Sequence, residues 1–162
     1  MIEHITDADT KRAVARKVLE ALHDWFEVDE SREKYIAESA GQTFIAAKES
    51  NEYVGFLCLK ETGRETVELA VMGVLRDFHR SGIGMQLFEE AKRTAKAQGY
   101  EFMQVKTVKM GVYEDYDRTG APDSFGSGSP AVIPILCLLR HRLCATRLPI
   151  MSAASVCWRL VL

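Results

Sequence analysis

Hydrophobic positions at the start of the chain repeat with a helical period. Val14, Val18, Leu22 and Trp25 recur every three or four residues, and the capping residue Asp9 stands before them. This spacing predicts an amphipathic helix of about five turns, with one face turned toward a core.

Between residues 29 and 75 the pattern predicts one more helix and then three strands. The helix is expected over about 29–41, because a glycine at its end favours termination. The β-prone runs 43–47 and 53–59 are separated by a polar turn and predict a hairpin. The apolar run 67–75 predicts a third strand.

A glycine-containing loop then opens a second amphipathic helix. The loop runs from His79 to Gly84, Gly99 should end the helix, and a strand is expected over 101–108. Strand, loop, helix and strand form one βαβ unit, so the two strands should be neighbours in a mixed sheet. The apolar positions that fall on one face of this helix are Ile83, Leu87, Phe88, Ala91 and Ala95.

Composition divides the 162-residue chain into two parts. All four prolines and three of the four cysteines follow Gly120, and the last lysine is Lys109. Apolar runs in the second part are cut by proline and arginine, so they predict neither a clean helix nor a clean strand. We therefore expect one domain over 1–119 and an atypical Pro-, Cys- and Arg-rich tail over 120–162.

Net charge and hydropathy exclude several classes of protein. Twenty-one basic and 23 acidic residues give a formal charge of −2, which argues against a nucleic-acid-binding protein with a strongly basic surface. The sequence shows no secretory signal and no apolar run of about 18 residues, so we expect no membrane association. Four cysteines in such a chain are typical of reduced thiols, and a cytoplasmic location is predicted.

The paired glycines of the loop favour an anion site. Gly82 and Gly84 permit a tight backbone at the start of a helix, where unpaired N–H groups and the positive end of the helix dipole attract a phosphate. The loop lacks the residues of a Walker motif and the third glycine of a dinucleotide fingerprint. An ordinary strand-to-helix turn without a ligand is the alternative.

The residues around the loop resemble the central motif of the GNAT superfamily of acyl-CoA-dependent N-acyltransferases. The resemblance rests on the strand 67–75, the aromatic Phe78, the Gly-x-Gly pair and the amphipathic helix that Gly99 ends, and it covers about residues 2–118. It implies an α/β fold, a mixed β-sheet flanked by helices, in which the family's C-terminal helix and strands are missing or replaced. It also implies transfer of an acetyl group from acetyl-CoA to an amine, without a metal.

Residue by residue, the resemblance implies a cofactor site at the loop and the strand before it. Backbone amides of Arg80, Ser81, Gly82, Ile83 and Gly84 would hold the pyrophosphate of coenzyme A. His79 stands where the family has Arg or Gln, and we expect it to donate to a phosphate. The strand end, formed by Met72, Gly73 and Val74, would pair its backbone with the pantetheine arm.

Glu68 is the candidate catalytic residue. It is the only ionisable residue between Val67 and Leu75, and its position matches that of the strand glutamate that acts as general base in a number of GNAT enzymes. A solvent-facing strand residue is the alternative. The oxyanion donor would be a backbone N–H near Met72 to Val74.

The resemblance ends near Gly120, where the family would continue with a helix, a Gly-Phe turn and two strands. We hypothesise that the sequence from about Gly120 onward is translated in a shifted reading frame. Tyr113 and Tyr116 are the nearest candidates for a general acid, with packing as the alternative role. An alternative function is therefore a catalytically impaired acyl-CoA-binding module.

Two further patterns bear on ligands and partners. Cys137, His141 and Cys144 are close enough to suggest a metal, but their spacing is not that of a metal site, and we predict none. The acidic residues of the helix pair suit a cationic acceptor or a solvated face. We expect a small-molecule amine or a protein amine as acceptor, and an exposed sheet edge favours a homodimer.

Overall fold

Alternating apolar residues build a mixed sheet with helices on both faces. The computed structural model describes residues 1–26, 28–108, 151–152 and 155–162. Strands in this part of the chain are β1 (Ile2–Ile5), β2 (Thr43–Glu49), β3 (Glu52–Gly63), β4 (Thr66–Val74), β5 (Phe102–Val108), β6 (Met151–Ser152) and β7 (Ser155–Val161). Its α-helices are α1 (Ala8–Ala21), α2 (Asp29–Ser39) and α3 (Ile83–Ala97).

The sheet has the strand order β1-β2-β3-β4-β5-β7-β6. Strands β4 and β5 are parallel neighbours joined through α3, as the βαβ pattern predicts, and the other pairs are antiparallel. The predicted α/β class, with a mixed sheet flanked by helices, is confirmed. Strand β1, which the sequence pattern did not predict, pairs with β2 at the edge of the sheet.

Helix α1 is shorter than its apolar spacing predicts. Its cap is Asp7 and not Asp9, because the Asp7 carboxylate accepts a hydrogen bond from the Thr10 N–H at 2.7 Å. The helix ends at Ala21, and a separate 3-10 turn covers His23–Trp25. The apolar repeat therefore spans two elements.

Two hydrophobic clusters lie on opposite faces of the sheet. One packs α3 against β2, β3 and β4, and the other packs α1 and α2 against the opposite face. The buried face of α3 consists of the five residues predicted from its spacing, which are Ile83, Leu87, Phe88, Ala91 and Ala95.

The end of the tail contributes to the sheet. Strand β7 pairs antiparallel with β5 from Phe102 to Val108, and β6 pairs with β7. Strands are thus present where the sequence suggested that the family's own strands are missing or replaced. Residues 109–150 and 153–154, which include the position expected for the family's C-terminal helix, lie outside the described residues. The division at residue 119 remains a prediction.

Helix α1 and its C-cap residue Leu22 lie close to β4 at Gly73. A Cβ atom at Gly73 would lie 2.8 Å from Cγ1 of Val18 and 3.2 Å from Cδ1 of Leu22, and both of these side chains are fully buried. The absence of a side chain therefore lets α1 lie directly on the end of β4.

Replacing Gly73 with Ala should destabilise the protein by about 1–3 kcal/mol, since a methyl group would overpack this contact. Urea denaturation measures the free energy of unfolding. Gly41→Ala is the matched control, because its new Cβ would have its nearest neighbour at 4.0 Å. Equal stability of the two variants would contradict the close approach.

Candidate active site

A gap opens between β4 and β5 because an extra residue interrupts β4. Cys58 of β3 pairs with Val71 and its neighbour Leu59 pairs with Leu69, so Ala70 is bulged out of the register. The parallel pairing of β4 with β5 ends at the same point, at Leu69 and Val105. A bulge bends a strand and increases its twist. Beyond Ala70, β4 therefore follows β3 and diverges from β5.

The backbone of β4 beyond the bulge directs polar groups into this gap. Leu75 donates its N–H to the Val54 carbonyl on β3 at 2.8 Å. Peptide groups alternate in direction along a strand, so those of Gly73 also face β3, whereas those of Met72 and Val74 face the gap. Met72 and Val74, two of the three predicted strand residues, thus present backbone groups to the gap. The third, Gly73, provides space for α1.

The loop after β4 turns the start of α3 toward the gap. Gly82 caps the helix with φ +83°, a left-handed conformation that favours glycine, and a Cβ there would meet nothing within 4 Å. The N–H groups of the first turn have no acceptor within the helix, and Gly82 has no side chain to supply one. No acidic residue lies in the first turn, and the exposed Arg80 precedes it. The arrangement forms an open, electropositive cradle that could hold an anion.

The second glycine of the pair brings this cradle close to the strand. A Cβ on Gly84 would lie 3.3 Å from Cε of Met72. A side chain at position 84 would therefore crowd the end of the Met72 side chain. The start of α3 and the gap are consequently adjacent.

His79 fastens the loop to β4. Its Nε2 donates to the Val74 carbonyl at 2.8 Å, and the side chain is half-buried. Ser81 adds a second internal contact, since its hydroxyl donates to the Phe78 carbonyl. Nε2 of His79 is therefore engaged within the protein, so this nitrogen positions the loop and does not point to a phosphate.

Glu68 lies on the face of the sheet that α1 and α2 cover. Its relative exposure is 9%, so it does not face solvent. Gln104, its register partner on β5, donates from Nε2 to Oε2 of Glu68 at 3.0 Å. Sequence reasoning missed Gln104, although pairing the runs 66–69 and 102–105 in parallel would have found it.

The acidic residues near the helix pair are joined to bases. Glu33 accepts two hydrogen bonds of 2.7 Å from Arg16, and Glu38 accepts one of 3.1 Å from Lys60. Asp24 accepts from Arg76, whose guanidinium lowers the pKa of that carboxyl. Much of this acidic surface is thus neutralised, and the Asp24 contact ties the turn after α1 to the loop after β4.

Several sequence-based candidates lie outside the described residues, namely Tyr113, Tyr116, Cys137, His141 and Cys144. Within the described part, no group of three or more His, Cys, Asp or Glu side chains is arranged to hold a metal ion. No helix in the same part is long and apolar enough to cross a bilayer.

The structure thus brings together the start of α3, a split between two parallel strands and a carboxylate on the opposite face of the sheet. The model of the Acetyltransferase (GNAT) family matches residues 10–115. The chain therefore belongs to the GNAT family of acetyltransferases. A search of curated protein sequences found no match.

Solved structures share the fold at low sequence identity. An IAA acetyltransferase from Bacillus cereus has a TM-score of 0.64 at 17% identity, covering 100% of this chain and 99% of that one. The PaiA N-acetyltransferase from Thermoplasma acidophilum, in complex with coenzyme A, gives 0.62 at 14%, covering 100% and 99%. A GNAT acetyltransferase from Elizabethkingia anophelis with acetyl-CoA bound gives 0.58 at 18%, covering 83% and 85%.

We expect His79→Ala to lower the free energy of unfolding by about 1 kcal/mol, because the Val74 carbonyl loses its donor. His79→Gln keeps a donor at that position and should lose less. Urea denaturation is the measurement. His23→Ala is the control, since the His23 side chain is 69% exposed and its loss should cost less than about 0.5 kcal/mol. If His79→Ala is as stable as the wild type, the anchoring role is wrong.

Proposed function

We propose that this chain transfers an acetyl group from acetyl-CoA to an amine by direct attack of the amine on the thioester. The observation that carries the proposal is the gap between β4 and β5. The cradle of α3 lies at one end of it, and Glu68 lies on the opposite face of the sheet at the point where the two strands separate. The thioester of acetyl-CoA could therefore enter the gap from one face of the sheet, and the amine could reach its carbonyl carbon from the other face.

Coenzyme A fits the polar groups at the cradle. Backbone N–H groups from Arg80 to Gly84, the start of the α3 dipole and the Arg80 guanidinium would together bind the pyrophosphate. Glycine at position 82 leaves open space in front of the loop, since nothing lies within 4 Å of the point where a Cβ would stand. The pyrophosphate would occupy that space. The coenzyme A and acetyl-CoA bound in the solved structures from Thermoplasma acidophilum and Elizabethkingia anophelis support coenzyme A as the ligand.

The pantetheine arm would enter the gap beside β4. Met72 and Val74 direct backbone groups toward it, in the manner of a strand edge that receives a peptide. The Val74 carbonyl is engaged by His79, so the remaining groups are those of Met72 and the Val74 N–H. We assign the Val74 N–H as the donor to the thioester oxygen as negative charge develops there.

Glu68 would act as the general base. It would take a proton from the acceptor ammonium, directly or through one water, and the free amine would then attack the thioester carbon. Collapse of the tetrahedral intermediate would break the C–S bond, the former amine nitrogen would lose its second proton, and the departing coenzyme A thiolate would take up that proton. The products are an amide and free coenzyme A.

The acceptor would be a small-molecule amine or a protein amine. The neutralised acidic surface near α1 and α2 gives little support to a strongly cationic acceptor, since Glu33 and Glu38 are already paired. A panel of amines and peptides tested for thiol release would identify the class. Acetyl-CoA binding without release of thiol to any of them would select the binding-module alternative.

Gly82→Ala should weaken acetyl-CoA binding at least tenfold, because a side chain and a shifted φ would displace the N–H groups of the cradle. Gly99→Ala is a matched control, since Gly99 has φ +87°, also has open space around its missing Cβ, and lies beyond the far end of α3. Both variants should lose about 1–2 kcal/mol of stability from backbone strain.

Thermal melts with and without acetyl-CoA check this expectation. Ligand at about 100 times its dissociation constant should stabilise the wild type and Gly99→Ala by roughly 2.7 kcal/mol, and Gly82→Ala by less. A wild type that acetyl-CoA does not stabilise would refute the cofactor assignment.

Glu68→Gln should lower kcat by about 10²–10⁴-fold, because the amide cannot accept the ammonium proton. The shift in melting temperature with acetyl-CoA should be unchanged, since Glu68 lies on the opposite face from the cradle. Glu65→Gln, which alters an exposed carboxylate just before β4, is the control. Full activity in Glu68→Gln would exclude it as the base.

A further inference from the structure

The amide of Gln104 holds the Glu68 carboxylate in a defined orientation. Nε2 of Gln104 lies 3.0 Å from Oε2 of Glu68 and 3.1 Å from Oγ1 of Thr62. The Thr62 hydroxyl donates its proton to the Thr66 carbonyl, so its oxygen is left to accept a hydrogen bond from Gln104. A carboxylate and this hydroxyl both require a donor, which means that the NH2 group of Gln104 faces them.

The sheet itself fixes this contact. Glu68 and Gln104 are register partners on parallel strands, within the short segment where β4 and β5 still pair. Leu69 and Val105, the next pair, are the last before the gap. Gln104 therefore holds the carboxylate beside the point where the strands separate.

We propose that Gln104 is a positioning residue for catalysis: through its hydrogen bond to Oε2 it holds the Glu68 carboxylate in one orientation beside the gap. The proposal rests on the proposed function, in which Glu68 is the general base. Burial disfavours a charged carboxylate, and a donor to its oxygen compensates for part of that cost. Thr62 supports the same contact by accepting the second proton of the amide.

The neighbouring charged groups set the background for a pH measurement. Lys60 of β3 is the register partner of Glu68, and its Nζ binds Glu38 of α2 at 3.1 Å. On β7, Arg159 is the register partner of Gln104. These residues are kept constant in the test, so any change between variants is due to position 104.

The test is the pH dependence of kcat/KM for the full chain with acetyl-CoA and an accepted amine. Gln104→Glu should move the acidic limb of the profile to higher pH by one unit or more, because two carboxylates in contact disfavour each other's ionisation. Activity should recover to within a few fold at high pH. Gln104→Leu removes the donor. It should also move the acidic limb to higher pH and lower kcat about tenfold, while KM for acetyl-CoA stays unchanged.

Controls separate this role from general damage to the fold. Gln98→Glu makes the same chemical change at an exposed position after α3 and should leave the profile unchanged. Thr62→Ser keeps the hydroxyl and should behave as the wild type, whereas Thr62→Val should shift the limb in the same direction as Gln104→Leu, by less.

Glu68→Gln measured in parallel distinguishes the two possible failures. If Glu68→Gln keeps the acidic limb, Glu68 is not the base, and the catalytic part of the proposed function is wrong whatever Gln104 does. If Glu68→Gln loses the limb while Gln104→Glu and Gln104→Leu keep it at the wild-type pH, the positioning role alone is overturned. Should Gln104→Glu fail to fold, the result with Gln104→Leu decides.

Discussion

The single extra residue at Ala70 is the constraint on which the rest of the site depends. It ends the pairing of two parallel strands that the βαβ connection would otherwise hold together. Strand β4 remains fixed to β3 as far as the Leu75 to Val54 hydrogen bond, and β5 remains fixed to β7. The gap is therefore held open by hydrogen bonds on its outer sides, and it does not depend on a flexible loop.

This gap connects two chemically different faces. On one face the start of α3 offers backbone N–H groups and the charge of Arg80, and on the other Glu68 lies among the residues covered by α1 and α2. An anion and a proton acceptor are thus kept apart by the thickness of a sheet. Separation matters because two negatively charged groups held close together would repel each other.

Helix faces, the glycine cap of α3 and the neighbouring strands of the βαβ unit were predictable, whereas the individual residue pairs between strands were not. The buried face of α3 and the glycine cap at Gly82 follow from helical period and backbone freedom, both local properties. The Gln104 contact depends on strand register, which no local pattern specifies. Strand β7 was missed for another reason: proline and arginine elsewhere in the tail obscured the β-prone run from Val156 to Val161.

The last strand of the tail bears directly on the site. From Lys106 to Val108, β5 no longer has β4 as a neighbour and pairs with β7 alone among the described strands. An unpaired strand in that position would expose its N–H and C=O groups along both edges, and one wall of the gap would lose its support. The composition of the tail differs from that of the first 119 residues. Its final strand nevertheless pairs with β5 through backbone groups, and most residue types can form such hydrogen bonds. This explains how a segment of unusual composition can complete the sheet.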